Sequence, residues 1–322
     1  MTILVFGSIN MDFVAQVPRL PRPGETLTGD RFSTVPGGKG ANQAVAVARL
    51  EEPCEMVGRV GADSFGGLLL QHLTDAGVGC GQVYADTDLS SGAAMIEVSA
   101  GLSGSGDQPG DNHIVVIPGA NGAVGEADVA RLSALLPQAS WLLLQLEVPL
   151  PAVLAAAQAA AAAGVKVMLD PAPARSLPDE LYRVVDVITP NQTEASILTG
   201  ASVNNLDEAT RAADWLQQRG VAVVAITLGA QGVLYRSAAE TAAVPAFPVQ
   251  AVDTVAAGDA FNGALAVALS RQQPFAEAVR YGAAAAAIAV TRAGAQDAVP
   301  NRAEVESFLS RYKPRPSLDR NL

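Results

Sequence analysis

The chain has 322 residues, of which 49% are hydrophobic, and its formal net charge at pH 7 is −11. This size suffices for one large α/β domain, or for a domain with a smaller appendage. Nucleic acid is a poor partner for such an acidic chain, because no basic patch with interleaved aromatic residues is present.

The cellular setting follows from the cysteines and the apolar runs. Cys54 and Cys80 show no metal-binding or disulfide pattern and suit a reducing cytosol. The alanine-rich runs 152–163 and 283–290 are too short to span a bilayer. The first residues have the pattern of a strand and not of a signal peptide. We therefore predict a cytoplasmic protein that has no membrane partner.

The first strand, residues 3–6, is followed by two polar residues, Asn10 and Asp12. Ligand contacts in open α/β sheets gather just beyond the carboxyl ends of strands. These two side chains could hydrogen-bond the neighbouring hydroxyls of a sugar. A simple turn built by Asn and Asp explains the same residues, and on local grounds it is the better explanation.

Two stretches look like excursions from the main sheet, at about 13–36 and 91–117. Each combines β-prone pieces with Pro, Gly or Ser, and the loop at 101–110 is rich in Gly and Ser. Together they predict a small accessory β-sheet, which we interpret as a lid.

Between these stretches, a glycine-rich loop opens a helix. Gly37, Gly38 and Gly40 surround Lys39, and apolar residues then follow at helical spacing. Such a loop can receive an oxygen-rich ligand, with Asn42 in the first helical turn pointing towards it. The spacing is not that of a P-loop.

The middle of the chain alternates between strands and helices, which predicts a mostly parallel sheet covered by helices. Four predicted strands, at 141–146, 165–169, 184–188 and 221–227, each end in a polar residue. These residues are Glu147, Asp170, Asn191 and Thr227. Each alone could be a cap or turn residue, but four at one sheet edge favour a site.

The stretch 252–261 is the centre of the prediction. A β-rich segment at 247–249 leads into small residues and then into a helix, whose free amides and dipole favour an anion. Asp259 lies in the first turn of that helix. It could be a general base that deprotonates a hydroxyl attacking a phosphate, or it could merely complement the helix dipole.

Helices at 275–290 and 302–311 complete the predicted chain. We find no internal repeat and no sharp linker, so residues 1–312 are predicted to form a single domain. The polar tail 313–322 is predicted to be disordered.

Four blocks in this order resemble the ribokinase (PfkB) family of carbohydrate kinases: GSINMD from Gly7, GGKGANQA from Gly37, TPNQTE from Thr189 and DTVAAGDAF from Asp253. The resemblance extends to about residue 309. It implies a doubly wound α/β core with a small β-sheet lid, and a homodimer that pairs through the lid.

The resemblance also implies the substrates, a small sugar such as D-ribose and ATP with Mg²⁺. Asp259 then acts as the base that deprotonates the primary hydroxyl, O5 in ribose. That oxygen attacks the γ-phosphoryl group in line, while amides at 256–259 and Mg²⁺ hold the developing charge. The positions that match sugar contacts are Asn10, Asp12, Gly38, Lys39, Gly40, Asn42, Glu147 and Asp259.

The remaining matches concern the nucleotide and a monovalent cation, usually K⁺. Asn191 matches an ATP-phosphate contact and Glu194 a residue associated with Mg²⁺. The other nucleotide positions are Thr227, Leu228, Gly229, Gly232, Ala256, Ala257, Gly258 and Ala283. The K⁺ positions are the carboxylate of Asp253, the carbonyls of Val255, Ala289, Arg292 and Gly294, and Ala298.

The chain departs from the family pattern at two site positions. Ala298 stands where these kinases commonly place a serine ligand for K⁺, so one side-chain oxygen is missing and the K⁺ requirement is open. Ala283 replaces a polar or aromatic side chain beside the adenine, which suggests loose base selectivity. The loop at 101–110 is also longer than is typical.

Other functions remain compatible with parts of this pattern. Kinases of fructose, deoxyribose or adenosine could use the same scaffold, although only Phe13 and Phe32 in the lid could hold a base. A non-catalytic sugar or nucleotide sensor should have lost Asp259 or Gly258, and both are present. A dinucleotide dehydrogenase is disfavoured, because no G-x-G-x-x-G follows the first strand.

Overall fold

The computed structural model describes residues 1–101 and 112–312, which form two β-sheets and the helices around them. The strands are β1 Thr2–Phe6, β2 Asn10–Val17, β3 Arg31–Gly37, β4 Cys54–Gly61, β5 Gly79–Asp86, β6 Gly92–Ser99, β7 Asn112–Ile117, β8 Ala139–Leu144, β9 Lys166–Leu169, β10 Val187–Ile188, β11 Val223–Thr227, β12 Val233–Arg236 and β13 Thr241–Val244.

The helices alternate with the strands of the larger sheet. They are α1 Lys39–Arg49, α2 Ser64–Asp75, α3 Glu126–Leu135, α4 Leu150–Ala162, α5 Asp179–Tyr182, α6 Gln192–Thr199, α7 Leu206–Gln218, α8 Ala257–Ser270, α9 Phe275–Ala289 and α10 Arg302–Arg311. Asparagine side chains cap the N-termini of α6, α7 and α10, an interaction worth about 1 kcal/mol each.

The larger sheet has nine strands in the order β13-β12-β11-β10-β9-β8-β1-β4-β5. All pairings from β11 to β5 are parallel, and the hairpin β12–β13 adds an antiparallel edge. Side chains of β1 alternate between two apolar clusters, with Ile3 and Val5 in one and Leu4 and Phe6 in the other. Helices therefore cover both faces, and the predicted doubly wound α/β class is confirmed.

The smaller sheet has the order β3-β2-β6-β7. Its outer pairings are antiparallel and the central pairing, β2 with β6, is parallel. The two stretches predicted as excursions, 13–36 and 91–117, supply these four strands. Since β2 begins shortly after the carboxyl end of β1, the small sheet lies next to the predicted site.

Several local predictions were wrong. Asn10 and Asp12 are not in a turn but in β2, because the strand begins directly at residue 10. The β-rich segment at 247–249 forms no strand. The predicted strands at 141–146 and 184–188 differ in their bounds, since the first ends at Leu144 and the second begins at Val187. Strand β5 and helix α3 were not predicted.

Two parts of the predictions lie outside the described residues. These are most of the loop at 101–110 and the tail 313–322. The organisation of 1–312 as one domain stays a prediction. Within the described ranges, none of the helices combines the length and apolar character that crossing a membrane requires.

Candidate active site

The N-terminus of α1 crosses the end of β1 in close contact. Gly38 has φ of 89°, a left-handed conformation that favours glycine, and it turns the chain into the helix. A Cβ on Gly40 would lie only 2.7 Å from the backbone nitrogen of Ser8. Ala41 N–H donates to the Ser8 carbonyl at 2.9 Å. The glycine-rich loop therefore fixes α1 at the carboxyl edge of the sheet.

Three predicted sugar contacts line this corner. Glu147, which follows β8, accepts hydrogen bonds from the Ser8 hydroxyl at 2.5 Å and from the Lys39 N–H at 3.0 Å, both through Oε2. Asn10 is buried, and its Oδ1 accepts from Asn121 Nδ2 at 2.7 Å. Asn121 also pairs with both backbone groups of Ile9. The exit of the chain towards the small sheet is therefore held by side-chain hydrogen bonds.

Asp12 is the least satisfied group of the corner. Its Oδ1 is buried and has no hydrogen-bond partner among residues 1–101 and 112–312. Burial raises its pKa to about 7, and the negative charges of Glu147 and Asp259 add to the rise. A carboxyl group that keeps an open hydrogen-bonding position in a polar cleft suits a ligand with hydroxyl groups.

Asp259 lies in the first turn of α8 and is only 4% exposed. Asn42 Nδ2 donates to its Oδ2 at 2.8 Å, and Gln43 Nε2 donates to its Oδ1 at 3.1 Å. Both donors lie on α1. Helices α1 and α8 can approach this closely because Gly263 has no side chain, and a Cβ there would be 2.5 Å from the Cβ of Ala46. Each carboxylate oxygen keeps a second lone pair for a further donor.

The carboxylates around this centre stabilise the positive charge of one lysine, Lys39. Burial works against the charge of Lys39, but the carboxylates of Asp259, Asp170, Glu147 and Glu194 outweigh it and raise the lysine pKa. Burial also raises the pKa of Asp259, and Lys39 and the amides of Asn42 and Gln43 oppose that rise. Lys39 thus lies between acids of the predicted sugar side and Glu194 of the predicted nucleotide side.

Several polar residues of the site were not predicted. They are Ser8, Gln43, Asn121, Gln145 and Gln296, and Asp170 was noted as a strand end but not chosen. Gln296 Nε2 donates to Asn42 Oδ1 at 3.1 Å. A buried Gln or Asn carries no sequence signature of its own. Gln43 had one weak signal, since it follows Asn42 in the glycine-rich block.

On the nucleotide side, Asn191 and Glu194 form a capping box at the start of α6. Asn191 Oδ1 accepts from Glu194 N–H at 2.9 Å, and Glu194 Oε2 accepts from Asn191 N–H at 2.8 Å. Burial raises the pKa of Glu194, which the Asn191 N–H and the charge of Lys39 oppose. These residues therefore have a structural role whatever they bind, and Glu194 Oε1 remains available to a ligand.

The other nucleotide positions occupy two places. Thr227 forms a parallel β-bridge with Asn191. In the turn that follows, the Leu228 N–H donates to the Gly232 carbonyl at 2.8 Å. The Leu228 side chain is buried in the core, so only its backbone can face a ligand. Ala283 is on α9, and Ala256 and Ala257 begin α8. A Cβ on Gly258 would contact nothing within 4 Å in the described parts of the chain.

Asp253 joins the loops predicted to hold K⁺. Its Oδ1 accepts from Val255 N–H and its Oδ2 accepts from Gly294 N–H, both at 3.0 Å. Ala289 ends α9, Arg292 forms an ion pair with Glu304, and Ala298 is 1% exposed. In the ranges that the structure describes, no group of three or more His, Cys, Asp or Glu side chains is placed to hold a metal ion.

Comparison with known proteins decides the family. The family described as pfkB family carbohydrate kinase matches residues 2–302. The chain belongs to this family. A ribokinase of Haemophilus influenzae is 44% identical over 308 residues, which cover 96% of this chain and 98% of the relative.

Two further relatives differ in what they are named for. A deoxyribokinase of Salmonella typhi is 36% identical, with 96% of this chain and 99% of the relative covered. The structure of Arabidopsis thaliana ribokinase with ribose and ATP superposes with a TM-score of 0.86 at 33% identity, covering 95% of this chain and 98% of that chain. The resemblance to the ribokinase family is therefore confirmed, and the chain is a sugar phosphotransferase by family.

The unusual pKa of Asp12 predicts a stability change with pH. Since the folded-state pKa of about 7 exceeds the ordinary value of 3.8, the folded protein binds more protons than the unfolded chain between these values. Stability therefore falls as pH rises through this window. Asp12→Asn removes the effect, so the Tm of the ligand-free variant should exceed that of the parent by ~2 °C or more at pH 8, with the difference vanishing near pH 4.

The matched control is Asp30→Asn, which changes an exposed carboxylate of the same small-sheet segment. Thermal unfolding followed by circular dichroism at pH 4, 6 and 8 checks the prediction. An Asp12→Asn curve that parallels that of the parent at all three pH values would contradict it.

Proposed function

We propose that this protein is an ATP-dependent ribokinase, which converts D-ribose and ATP to D-ribose 5-phosphate and ADP. One observation carries the proposal. Asp259 is buried at the start of α8, with both oxygens held by amides of α1 and with the N-terminal amides of α8 beside it. A base and an anion-binding helix terminus adjoin each other, as phosphoryl transfer to a hydroxyl requires.

On the sugar side, Asn10, Asp12, Lys39, Asn42 and Glu147 surround one corner next to Asp259. The glycines on either side of Lys39 allow backbone amides to approach a ring there. These acceptors and donors match the hydroxyls of a small furanose, and none of them offers an aromatic surface for a base. The 44% identity to a ribokinase supports ribose as the sugar.

The proton of the primary hydroxyl passes to Asp259 as the oxygen attacks the γ-phosphoryl group. Burial raises the pKa of Asp259, and Lys39 opposes that rise and so favours the ionised base. The N–H groups at 256–259 lie at the helix terminus, where amides lack intrahelical acceptors. The Ala257 N–H donates to the Thr254 carbonyl at 3.2 Å, so the other three are the ones proposed to stabilise negative charge on the transferred group. Closure of the small sheet would exclude water from the corner.

The nucleotide is assigned to the edge formed by Asn191, Glu194 and the turn 227–232, with Ala283 beside the base. Mg²⁺ would enter with ATP and neutralise the phosphates. Mg²⁺ bound with ATP typically takes only one or two protein carboxylates as ligands. The single carboxylate of Glu194 is therefore enough to serve as its protein ligand.

We expect Asp259→Asn to reduce kcat by about 10³-fold or more, because the variant loses the base while keeping the side-chain shape. ATP consumption should be driven by D-ribose ahead of 2-deoxyribose, fructose and adenosine, measured by coupled ADP release. Glu277→Gln, which changes an acidic residue in the first turn of α9, is the control for removing charge at a helix start.

The outcomes of that panel separate the alternatives. Turnover with 2-deoxyribose as the best substrate would replace ribose by the activity named for the Salmonella typhi relative. Full activity of Asp259→Asn would contradict the base assignment. Binding of ribose without any phosphorylation would favour a sensor.

The cation site is the next part of the proposal. Asp253 draws the loops at 252–255 and 292–294 together, and the positions assigned to K⁺ offer only oxygen donors, which suits a hard cation. Ala298 supplies no side-chain oxygen. The backbone carbonyls of Val255, Ala289, Arg292 and Gly294 and the Asp253 carboxylate would therefore hold K⁺ weakly.

Restoring the missing oxygen should strengthen K⁺ activation. Ala298→Ser is expected to lower the K⁺ concentration that gives half-maximal activity. In this titration Na⁺ replaces the omitted K⁺, so that the ionic strength stays constant. Ala295→Ser, which changes a buried alanine of the same loop outside the assigned set, is the control. The assignment fails if both variants respond to K⁺ in the same way.

Dimerisation through the small sheet completes the proposal. All six residues of the edge strand β7 are exposed, and Ile114, Val115 and Val116 are at least half exposed. Exposed apolar edge strands invite pairing with another strand. A second copy of the chain is the proposed partner, because pairing two β7 strands would cover the exposed edge of the small sheet in both copies.

A charge on this strand should weaken the dimer. Ile114→Lys is expected to shift the protein from dimer to monomer in sedimentation velocity experiments. Ile197→Lys provides a matched control, since both isoleucines are 54% exposed and Ile197 lies on α6. A parent protein that sediments as a monomer would contradict the proposal.

A further inference from the structure

Beneath Asp259 lies a chain of buried polar side chains that the proposed mechanism does not use. Gln43 Nε2 donates to Asp259 Oδ1 at 3.1 Å and also to Asp170 Oδ2 at 2.8 Å. Its Oε1 accepts from Gln145 Nε2 at 2.7 Å. Gln43 and Gln145 are at most 1% exposed, and Asp170 is 6% exposed. One amide therefore connects two buried carboxyl groups with a second amide.

When both carboxyl groups are ionised, the chemistry of these groups permits only one arrangement. The two N–H groups of Gln43 must face the two carboxylates, because carboxylate oxygens only accept hydrogen bonds when ionised. Its carbonyl oxygen then faces Gln145, which must present its own NH₂. Gln145 Oε1 is left buried without a partner in the described residues, and a Cβ on Gly7 would lie 2.0 Å from it. The Gln145 amide is thus confined against the backbone of Gly7.

We propose that Gln43 is a positioning residue for Asp259, held in direction by Asp170 and Gln145. It keeps the Asp259 carboxylate ionised and turned towards the attacking hydroxyl, leaving the second lone pairs for the substrate. The proposal rests on the proposed function, in which Asp259 is the base.

Asn42 alone does not fix the carboxylate. A single hydrogen bond to Oδ2 leaves rotation about the Cβ–Cγ bond, and the second bond from Gln43 to Oδ1 removes it. Both donors come from adjacent positions of α1, so the helix sets the plane of the carboxylate. Asp170 directly follows β9 and Gln145 directly follows β8, so the large sheet in turn sets the direction of the Gln43 amide.

The ionisable groups facing Asp259 come from four elements. They are Lys39 on α1, Asp12 on β2, Glu147 after β8 and Asp170 after β9. Loss of a donor to Asp259 and loss of a neighbouring negative charge therefore have opposite effects. The first raises the pH at which Asp259 ionises, and the second lowers it.

The test compares Gln43→Met with Asp170→Asn. Methionine keeps the length of Gln43 without a donor, so kcat should fall about 10-fold to 100-fold, as expected for a hydrogen bond to a charged group. The acidic limb of the kcat profile should move to higher pH, with the sugar KM changing much less. Asp170→Asn keeps an acceptor for Gln43, so its acidic limb should stay or move to lower pH.

Gln145→Met provides a second variant in case Gln43→Met does not fold. Gln145→Met removes the hydrogen bond that holds the Gln43 amide in direction. The acidic limb of its kcat profile should therefore also move to higher pH, but less than that of Gln43→Met. The double variant Gln43→Met/Gln145→Met should be no slower than Gln43→Met alone, because the second residue acts only through the first. A Gln43→Met enzyme with reduced Tm but an unchanged acidic limb would show a merely structural role and overturn the proposal.

A readout without turnover separates this proposal from the proposed function. The ionisation of Asp259 can be followed by ¹³C NMR of labelled aspartate carboxyls, assigned by the signal missing in Asp259→Asn. Its titration should move to higher pH in Gln43→Met. If that shift occurs while Asp259→Asn retains full activity, Gln43 positions the carboxylate and the base assignment is wrong. If the titration does not move, the proposal fails whatever the activity.

Discussion

The burial of one carboxylate between two helices is the constraint on which the site depends. Asp259 loses most of its solvent in the first turn of α8, and an isolated buried carboxylate would be protonated. Two amides of α1 and the charge of Lys39 oppose the resulting rise in its pKa, although they do not cancel it. The arrangement works only if α1 and α8 pack closely, which small residues such as Gly263 and Ala46 permit. The packing of two helices therefore decides the protonation of one residue.

Close packing also organises the corner where β1, β2 and α1 meet. The chain leaves the large sheet after β1, builds two strands of the small sheet and returns through Gly38 into α1. Hydrogen bonds that backbone N–H groups donate to Asn121 and Glu147 fasten this crossing to two other parts of the chain. Residues that are distant in sequence thus fix the position of Asn10 and of the start of β2.

A net charge of −11 does not prevent the proposed action on an anionic nucleotide, because the acids of the site are not the groups proposed to bind the phosphates. Asp12, Glu147, Asp170 and Asp259 crowd one end of the cleft, and Lys39 lies among them. In the proposed function, anion binding falls instead to backbone amides at the start of α8, which carry no formal charge. The net charge of the chain therefore does not reveal that acidic side chains and the proposed anion-binding amides are separate parts of the site.

The fold class could be predicted from the sequence because strand and helix periodicity are local properties, and the family could be predicted from the order of the four motif blocks. The sequence also singled out Asp259, Lys39 and Asn42, which the structure brings close together. Only the tertiary structure decided that Asn10 and Asp12 begin a strand, since the partner strands at 31–37 and 92–99 lie far along the chain. It also decided that Gln43, Asp170 and Gln145 meet beneath Asp259. Each comes from a different element, and a buried amide owes its direction to its neighbours in space, which local sequence does not record.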